Sequence, residues 1–421
     1  MDTVLRTPAA SRASAAAVAL AGALSLAVAM GIGRFAFTPL LPMMLDDGVI
    51  DLPAASWLAS ANYLGYLVGA LLCTFQPWLW ARLPRLPAVS APLLVRAGLA
   101  ATVLLTLGMA LPAAALWPGL RFAAGVASAV VFVFSSGWCL AQLAQHGATP
   151  LGGVMFTGPG VGIVVSGVFA TGMVSWHWRA ASGWLWFGVL AALLTAAVWP
   201  IFARGAPVQP AGPAAAAPGA GAASHARRRG EFACLALAYG LAGFGYIVSA
   251  TFLPVIARQA LPGSAWLDMF WPIFGSGVIA GALLATRLPL HGDLRLLLAA
   301  CYALQALGIG LGLWSPTLAG FAIGSLLLGL PFTAITFFAM REVRRLRPHG
   351  VASAIGLLTA LYGIGQILGP PLVALLLAHS GTPGRGFDAA LTLAAAALLS
   401  GAAMYLGMAW RFPFGGVCST S

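Results

Sequence analysis

The sequence predicts an all-α membrane protein, with twelve transmembrane helices in two pseudo-symmetric six-helix bundles. Three observations lead there. Hydrophobic residues make up 61% of the 421 and charged residues only 7%, against about 25% charged in a soluble domain. Apolar runs of about 20 residues, the length that crosses a bilayer, recur along the whole chain. The two halves repeat each other at a fixed spacing. Disorder is excluded because it needs low hydrophobicity. A closed barrel is excluded because the runs are too long and lack alternation.

The first run, Ser14–Phe37, follows Arg6 and Arg12. It outlasts the roughly 7–15 apolar residues of a signal peptide, so it reads as an uncleaved first span. Asp46-Asp47-Gly48 makes a turn, and Pro53–Thr74 is the second span. A break from Arg82 to Pro87 precedes Val89–Ala110; then come Ala114–Trp138, Pro150–Met173 and Ala180–Phe202. Ala203–Gly230 holds Pro207, Pro210, Pro213, Pro218 and the run Arg227-Arg228-Arg229. That composition makes a flexible linker without a core. The second half supplies Glu231–Val255, Ser264–Thr286, Leu294–Trp314, Pro316–Met340, Val351–Leu377 and Phe387–Trp410. The expected domains are therefore 1–202, a linker 203–230, and 231–421.

The net charge is +12, and every one of the 21 bases is arginine. Nucleic acid is rejected as a partner, because the arginines form short clusters between apolar runs, as in cytoplasmic loops. With the N-terminus inside, 16 arginines fall on the cytoplasmic side and 3 outside. Both termini are expected in the cytoplasm of a bacterial inner (plasma) membrane. The five cysteines are scattered, so neither a metal site nor another cofactor is expected. No P-loop is present, which argues against an ATP-driven pump.

The halves align at an offset of 212 residues. Gly31-Ile32-Gly33-Arg34 matches Gly243-Phe244-Gly245-Tyr246, and Gly69-Ala70-Leu71-Leu72 matches Gly281-Ala282-Leu283-Leu284. The fourth spans share Phe122-Ala123-Ala124-Gly125 and Phe321-Ala322-Ile323-Gly324. The fifth and eleventh carry Gly158-Pro159-Gly160-Val161-Gly162 and Gly363-Ile364-Gly365 with Gly369-Pro370-Pro371. Four matches in one order indicate a duplication.

A six-plus-six duplication joined by a basic loop resembles the major facilitator superfamily. Met30-Gly31-Ile32-Gly33-Arg34-Phe35 with Pro39–Pro42, and Trp57–Tyr66, are similar to its YbfB/YjiJ branch, as is Tyr239–Tyr246 with Thr251–Pro254. The resemblance implies a secondary solute carrier, not an enzyme, working by alternating access. One feature departs from the superfamily: the acidic-basic, Gly-rich motif between spans two and three is missing, since Gln76–Leu86 contains no acid.

Arg34 is the leading site residue. It stands 12 residues before Asp46, about 18 Å at 1.5 Å per residue. There an arginine costs about 2.5–3.5 kcal/mol unless it faces protein or a wet cavity. Asn62 and Tyr66 share a face of the second span, and Tyr246 and Gln366 lie on polar stripes of the seventh and eleventh. With Arg34 they would line a cavity for a small organic anion, or else hold helices together. Arg121 starts a stripe with Gly125 and Ser128 that is similar to a superfamily motif linked with coupling; it also stands close enough to a helix end to snorkel. Gly158, Pro159, Gly162, Gly369 and Pro370 are expected to let helices pack closely and bend, and so to permit gating. Asp268 is the one acid expected inside a span, either as a proton carrier or as a charge favouring a helix N-terminus. The arginines at 341, 344, 345 and 347 read as surface charge contacting anionic lipid.

The expected function is secondary transport of a small organic anion, with protons as the candidate coupling ion and a monomer as the working unit. A multidrug efflux carrier would need an acid in its cavity. A non-transporting scaffold would show no flux.

Overall fold

The computed structural model describes residues 14–82, 89–203, 222–263, 266–287, 292–347 and 351–413. Twelve helices in it are long and apolar enough to cross a membrane. In the first half these are Ala15–Asp46, Leu52–Gln76, Ala91–Gly108, Ala114–Gln145, Gly152–Ser175 and Ala180–Ala203. In the second they are Arg228–Ala260, Leu267–Arg287, Leu294–Trp314, Leu318–Leu346, Ala354–His379 and Pro383–Arg411. They match the twelve expected runs one for one. The expected break at 83–88 and most of the linker, 204–221, lie outside the described residues. The helix of the seventh span starts at Ala222, inside the segment expected as linker.

Polar groups sort inward, which is the packing expected of a chain dissolved in lipid. Arg34, Asn62, Arg121, Ser128, Gln305 and Gln366 are all buried, whereas Leu104, Leu193 and Leu375 face outward with more than half their surface exposed. Lipid offers no hydrogen bonds, so polar side chains must find partners inside the bundle. Leucine loses nothing on the outside.

The duplication appears in the packing. A Cβ on Gly31 would come within 2.3 Å of the Gly162 Cα, and one on Gly162 within 2.5 Å of the Gly31 Cα. Spans one and five therefore cross backbone to backbone, as only glycine allows. Gly243, the equivalent of Gly31, also lies at a tight crossing with the eleventh span: a Cβ on it would stand 2.2 Å from the Tyr362 carbonyl oxygen, and one on Gly365 2.4 Å from the Gly240 carbonyl oxygen. Across the halves, Thr38 bonds Ala250 and Asp46 bonds Arg258, and both pairs are 212 residues apart. That is the offset of the sequence repeat. Equivalent positions meet only on a two-fold axis, so the pseudo-symmetry axis runs between the Asp46 ends of spans one and seven.

The first span extends beyond the Phe37 expected for it, to Asp46, and is not a regular helix. It is α-helical over Ala15–Leu26, π-helical over Ala27–Ile32, turns through 33–36, and resumes at Phe37–Asp46. In the fifth span the expected bend at Pro159 is a break between Gly152–Met155 and Gly158–Ser175, with Pro159 in the first turn of the second piece. There its missing N–H costs no hydrogen bond. Pro370 and Pro371 lie within a continuous helix, Val351–His379.

Candidate functional site: an arginine at the break of the first span

A π-helical stretch followed by a turn leaves backbone carbonyls without partners in their own helix. The fourth span supplies them. Arg121 donates from Nη1 to the Gly33 carbonyl at 3.3 Å and from Nη2 to the Arg34 carbonyl at 3.2 Å. One face further along, the Ser128 hydroxyl lies 2.7 Å from the Ala29 carbonyl. Asn62 holds the other side of this clamp, its Nδ2 donating to the Arg121 carbonyl at 2.9 Å. Arg121 is 2% exposed. It does not snorkel; burial against the open turn of span one leaves its guanidinium no path to water. Asn62 thus joins the second span to the fourth through its Nδ2.

The clamp fixes the backbone of Arg34, whose side chain turns into the seam between the halves. It is 3% exposed. Its Nη2 donates to the Gln366 Oε1 at 2.7 Å. The Gln366 Nε2 in turn donates to the Tyr246 hydroxyl. Tyr246 occupies the position equivalent to Arg34 in the second half, so one amide bridges two symmetry-related sites. The guanidinium carbon lies 4.1 Å from the Tyr66 ring centre and 5.2 Å from that of Tyr63, cation–π distances. Its Nε has no partner. Among the described residues no carboxylate pairs with Arg34.

Of the five residues expected to form the cavity, four stand together: Arg34, Tyr66, Tyr246 and Gln366. Tyr63, Phe35 and Tyr362 join them without having been expected. Tyr63 is the neighbour of Asn62 and stands three positions before Tyr66, so it shares that residue's face of the helix. Phe35 is adjacent to Arg34 and its ring lies 5.4 Å from the guanidinium.

Hydrogen bonds zip the seam from this level toward Asp46. The Ser60 hydroxyl donates to the Ile367 carbonyl at 3.0 Å, the Tyr63 and Thr251 hydroxyls share a bond of 2.8 Å, and the Thr38 hydroxyl donates to the Ala250 carbonyl at 2.8 Å. The rim is ionic. Arg258 bonds Asp268 at 2.9 Å and reaches Asp46 of the other half at 3.4 Å. Asp268 is thus an ion-pair partner at the start of the eighth span. The expected gating glycines lie at tight crossings: Gly158 against the Ala23 carbonyl, Gly162 against Gly31, and Gly369 against Ile247.

A buried arginine beside a broken helix, in a seam between two duplicated six-helix bundles, is the setting in which comparison with known proteins decides the class. The family described as "Uncharacterised MFS-type transporter YbfB" matches residues 26–406. The chain belongs to this family of major facilitator transporters. Its fold is similar to that of the nucleoside transporter NupG, with a TM-score of 0.68 at 14% identity, covering 93% of this chain and 99% of that one. It is also similar to a D-xylose-proton symporter, with a TM-score of 0.65 at 12% identity, covering 92% and 96%. No curated protein matches it.

This YbfB-type transporter carries a second polar cluster, at the opposite end of its second half. Arg295, 0% exposed, donates to Glu231 at 2.9 Å, to Asp293 at 2.7 Å, and to the carbonyls of Met408 and Phe412 at 3.1 and 2.8 Å. Arg345 bonds Glu231 and, at 2.7 Å, Glu342. Arg347 stacks 4.8 Å from the Phe232 ring centre. Three of the four arginines expected to contact lipid therefore engage the protein, since Arg341 also lies 5.8 Å from the Phe337 ring centre. Sequence reading missed this because Glu231 and Arg345 are 114 residues apart. The local signals were Glu342 three residues before Arg345 and Asp293 two residues before Arg295, where it caps the ninth span by accepting from the Arg295 N–H at 3.0 Å. Burial raises the Asp293 carboxyl's pKa, but the hydrogen bonds from Arg295 outweigh it and hold the group below its ordinary range.

Proposed function

We propose that the protein carries a small organic anion by alternating access, with Arg34 binding the anion's negative group. The observation that carries this reading is the guanidinium itself. It is buried, no described carboxylate pairs with it, and its Nε lacks a partner. A buried cation held only by neutral groups, the Gln366 amide and the surrounding tyrosines and phenylalanine, is undercompensated. A carboxylate arriving at its Nε–Nη2 edge takes the open donor and replaces the Gln366 oxygen. Losing that bond releases Gln366, which belongs to the other half, and so links binding to movement of the seam. For the solute to leave toward Asp46, the bonds at Ser60, Tyr63, Thr38 and Arg258 must open.

The arginine bias of the loops supports a bacterial inner-membrane location with both termini in the cytoplasm, so the Asp46 rim faces outward. Twelve spans complete the two bundles, and a monomer suffices. Protons remain the proposed coupling ion. A cationic drug would need a free acid, and Asp268 is held by Arg258. Counterflow of labelled carboxylates in proteoliposomes tests the reading. Transport of at least one carboxylate that is lost in Arg34→Gln supports it. A transported solute whose flux is unchanged in Arg34→Gln overturns it.

A further inference from the structure

The rings around Arg34 narrow the class of anion. We infer that the solute is an aromatic carboxylate, its carboxylate on the Arg34 Nε–Nη2 edge and its ring among Tyr66, Tyr246, Tyr362 and Phe332. This rests on the reading of Arg34 as the anion site and adds the chemistry of the rest of the molecule.

Four spans contribute rings to one place. Tyr66 of the second lies 4.1 Å from the guanidinium carbon. Tyr246 of the seventh meets Phe332 of the tenth edge-on at 5.0 Å and Tyr362 of the eleventh nearly parallel at 5.8 Å. Tyr239 extends the row, 4.8 Å from Tyr362. Such spacings are those of favourable aromatic pairs, so a ligand ring entering the row gains edge and face contacts at once.

Accessibility points the same way. Tyr63 and Tyr246 are buried, but Tyr66, Tyr362 and Phe332 each keep part of their surface exposed. Tyr66 and Tyr362 stand about one turn from Tyr63 and Gln366, on the side away from the bonds that zip the seam. The surface that a solute touches beside Arg34 is therefore aromatic.

The polar groups nearby are already engaged. Ser60 and Thr38 donate to carbonyls, Tyr63 is bonded to Thr251, and Tyr239 shares a bond of 3.0 Å with Thr336. Asn62 gives its Nδ2 to the fourth span. A hydroxyl-rich sugar acid would have to break several of these bonds to satisfy its own groups. A flat ring with one carboxylate asks only for Arg34.

Binding to the purified full-length protein tests this with four probes: benzoate, cyclohexanecarboxylate of nearly the same size, hydroxyl-rich gluconate, and uncharged benzamide. Benzoate is expected to bind roughly three- to tenfold more tightly than cyclohexanecarboxylate, the range an aromatic contact provides. Gluconate and benzamide should bind more weakly still. Tyr66→Phe should keep the preference for benzoate and Tyr66→Leu should reduce it. If cyclohexanecarboxylate or gluconate binds as tightly as benzoate, and Arg34→Gln abolishes that binding, the aromatic inference is overturned while the anion site stands. If benzamide matches benzoate, or no carboxylate binds, the anion reading fails and this inference with it. The wild-type comparison alone decides should Tyr66→Leu not fold.

Discussion

Replacing Arg121 by methionine keeps the length and apolar bulk of the side chain and removes the clamp on the broken first span. Two hydrogen bonds disappear, to the Gly33 and Arg34 carbonyls. Hydrogen bonds between membrane helices contribute about 0.6 kcal/mol on average and up to about 1.7. The two carbonyls are also orphaned in a dry site, at about 1–3 kcal/mol each. The guanidinium further lies 4.8 Å from the Phe37 ring centre, a contact of roughly 0.5–2 kcal/mol. Both bonds are at the long end of their range, so about 1 kcal/mol each and about 1 for the ring give a loss near 3 kcal/mol. Arg121→Lys keeps the charge and can reach one carbonyl, so it should lose about half as much. Thermal melting of the purified protein in detergent, followed by tryptophan fluorescence, reads this directly. Arg121→Met should melt several degrees below wild type, with Arg121→Lys between them. A methionine variant that melts with wild type would refute the clamp. One that melts normally but no longer binds anions would make Arg121 a binding charge instead.

Other perturbations test other parts of the account. Gly162→Val places a branched side chain against the Gly31 backbone and should abolish the monodisperse peak in size-exclusion chromatography, whereas Gly172→Val, at a glycine with open space around it, should leave the peak intact. Asp46→Asn removes the exposed arm of the rim ion pair, 72% exposed, and should shift the melting point by no more than a degree or two, since exposed pairs contribute about 0–1 kcal/mol. Asp293 has a lowered pKa in the folded state, so its contribution is present above the ordinary carboxylate pKa and fades as pH falls through the folded value. The melting-point gap between wild type and Asp293→Asn should therefore be full at neutral pH and shrink below about pH 4. A gap that widens on acidification would contradict the assignment.

The twelve spans were legible because lipid solvation is a composition rule: a run of about 20 apolar residues has few alternatives. Arg34 was legible for the converse reason, since a charge in such a run demands an explanation. Helical spacing put Tyr66, Tyr246 and Gln366 with Arg34, and the structure brings them together. Asn62 instead gives its Nδ2 to the Arg121 carbonyl, because a side chain near the edge of a face can turn to either neighbouring helix. The π-helical stretch was invisible, as Ala27–Ile32 contains no proline to announce it. The clamp by Arg121 and the pairing of Glu231 with Arg295 and Arg345 were equally hidden. They join residues far apart in the chain and depend on how helices are arranged side by side. Gln366 as the bridge between Arg34 and Tyr246 belongs to the same class: the repeat aligned the two positions, but not the amide between them.

The central claim is that the Arg34 guanidinium binds the solute's negative group. Its most direct test is a thermal-shift titration of wild type and Arg34→Gln against a mixed panel of carboxylates and their matching neutral amides. A ligand that binds only the folded form raises the melting temperature. At least one carboxylate should stabilise wild type, its amide should not, and Arg34→Gln should bind it roughly 10- to 150-fold more weakly, the range set by a lost charge-assisted hydrogen bond. Equal stabilisation of both proteins by that carboxylate, or stabilisation of wild type by the amide as strongly as by the acid, would contradict the claim.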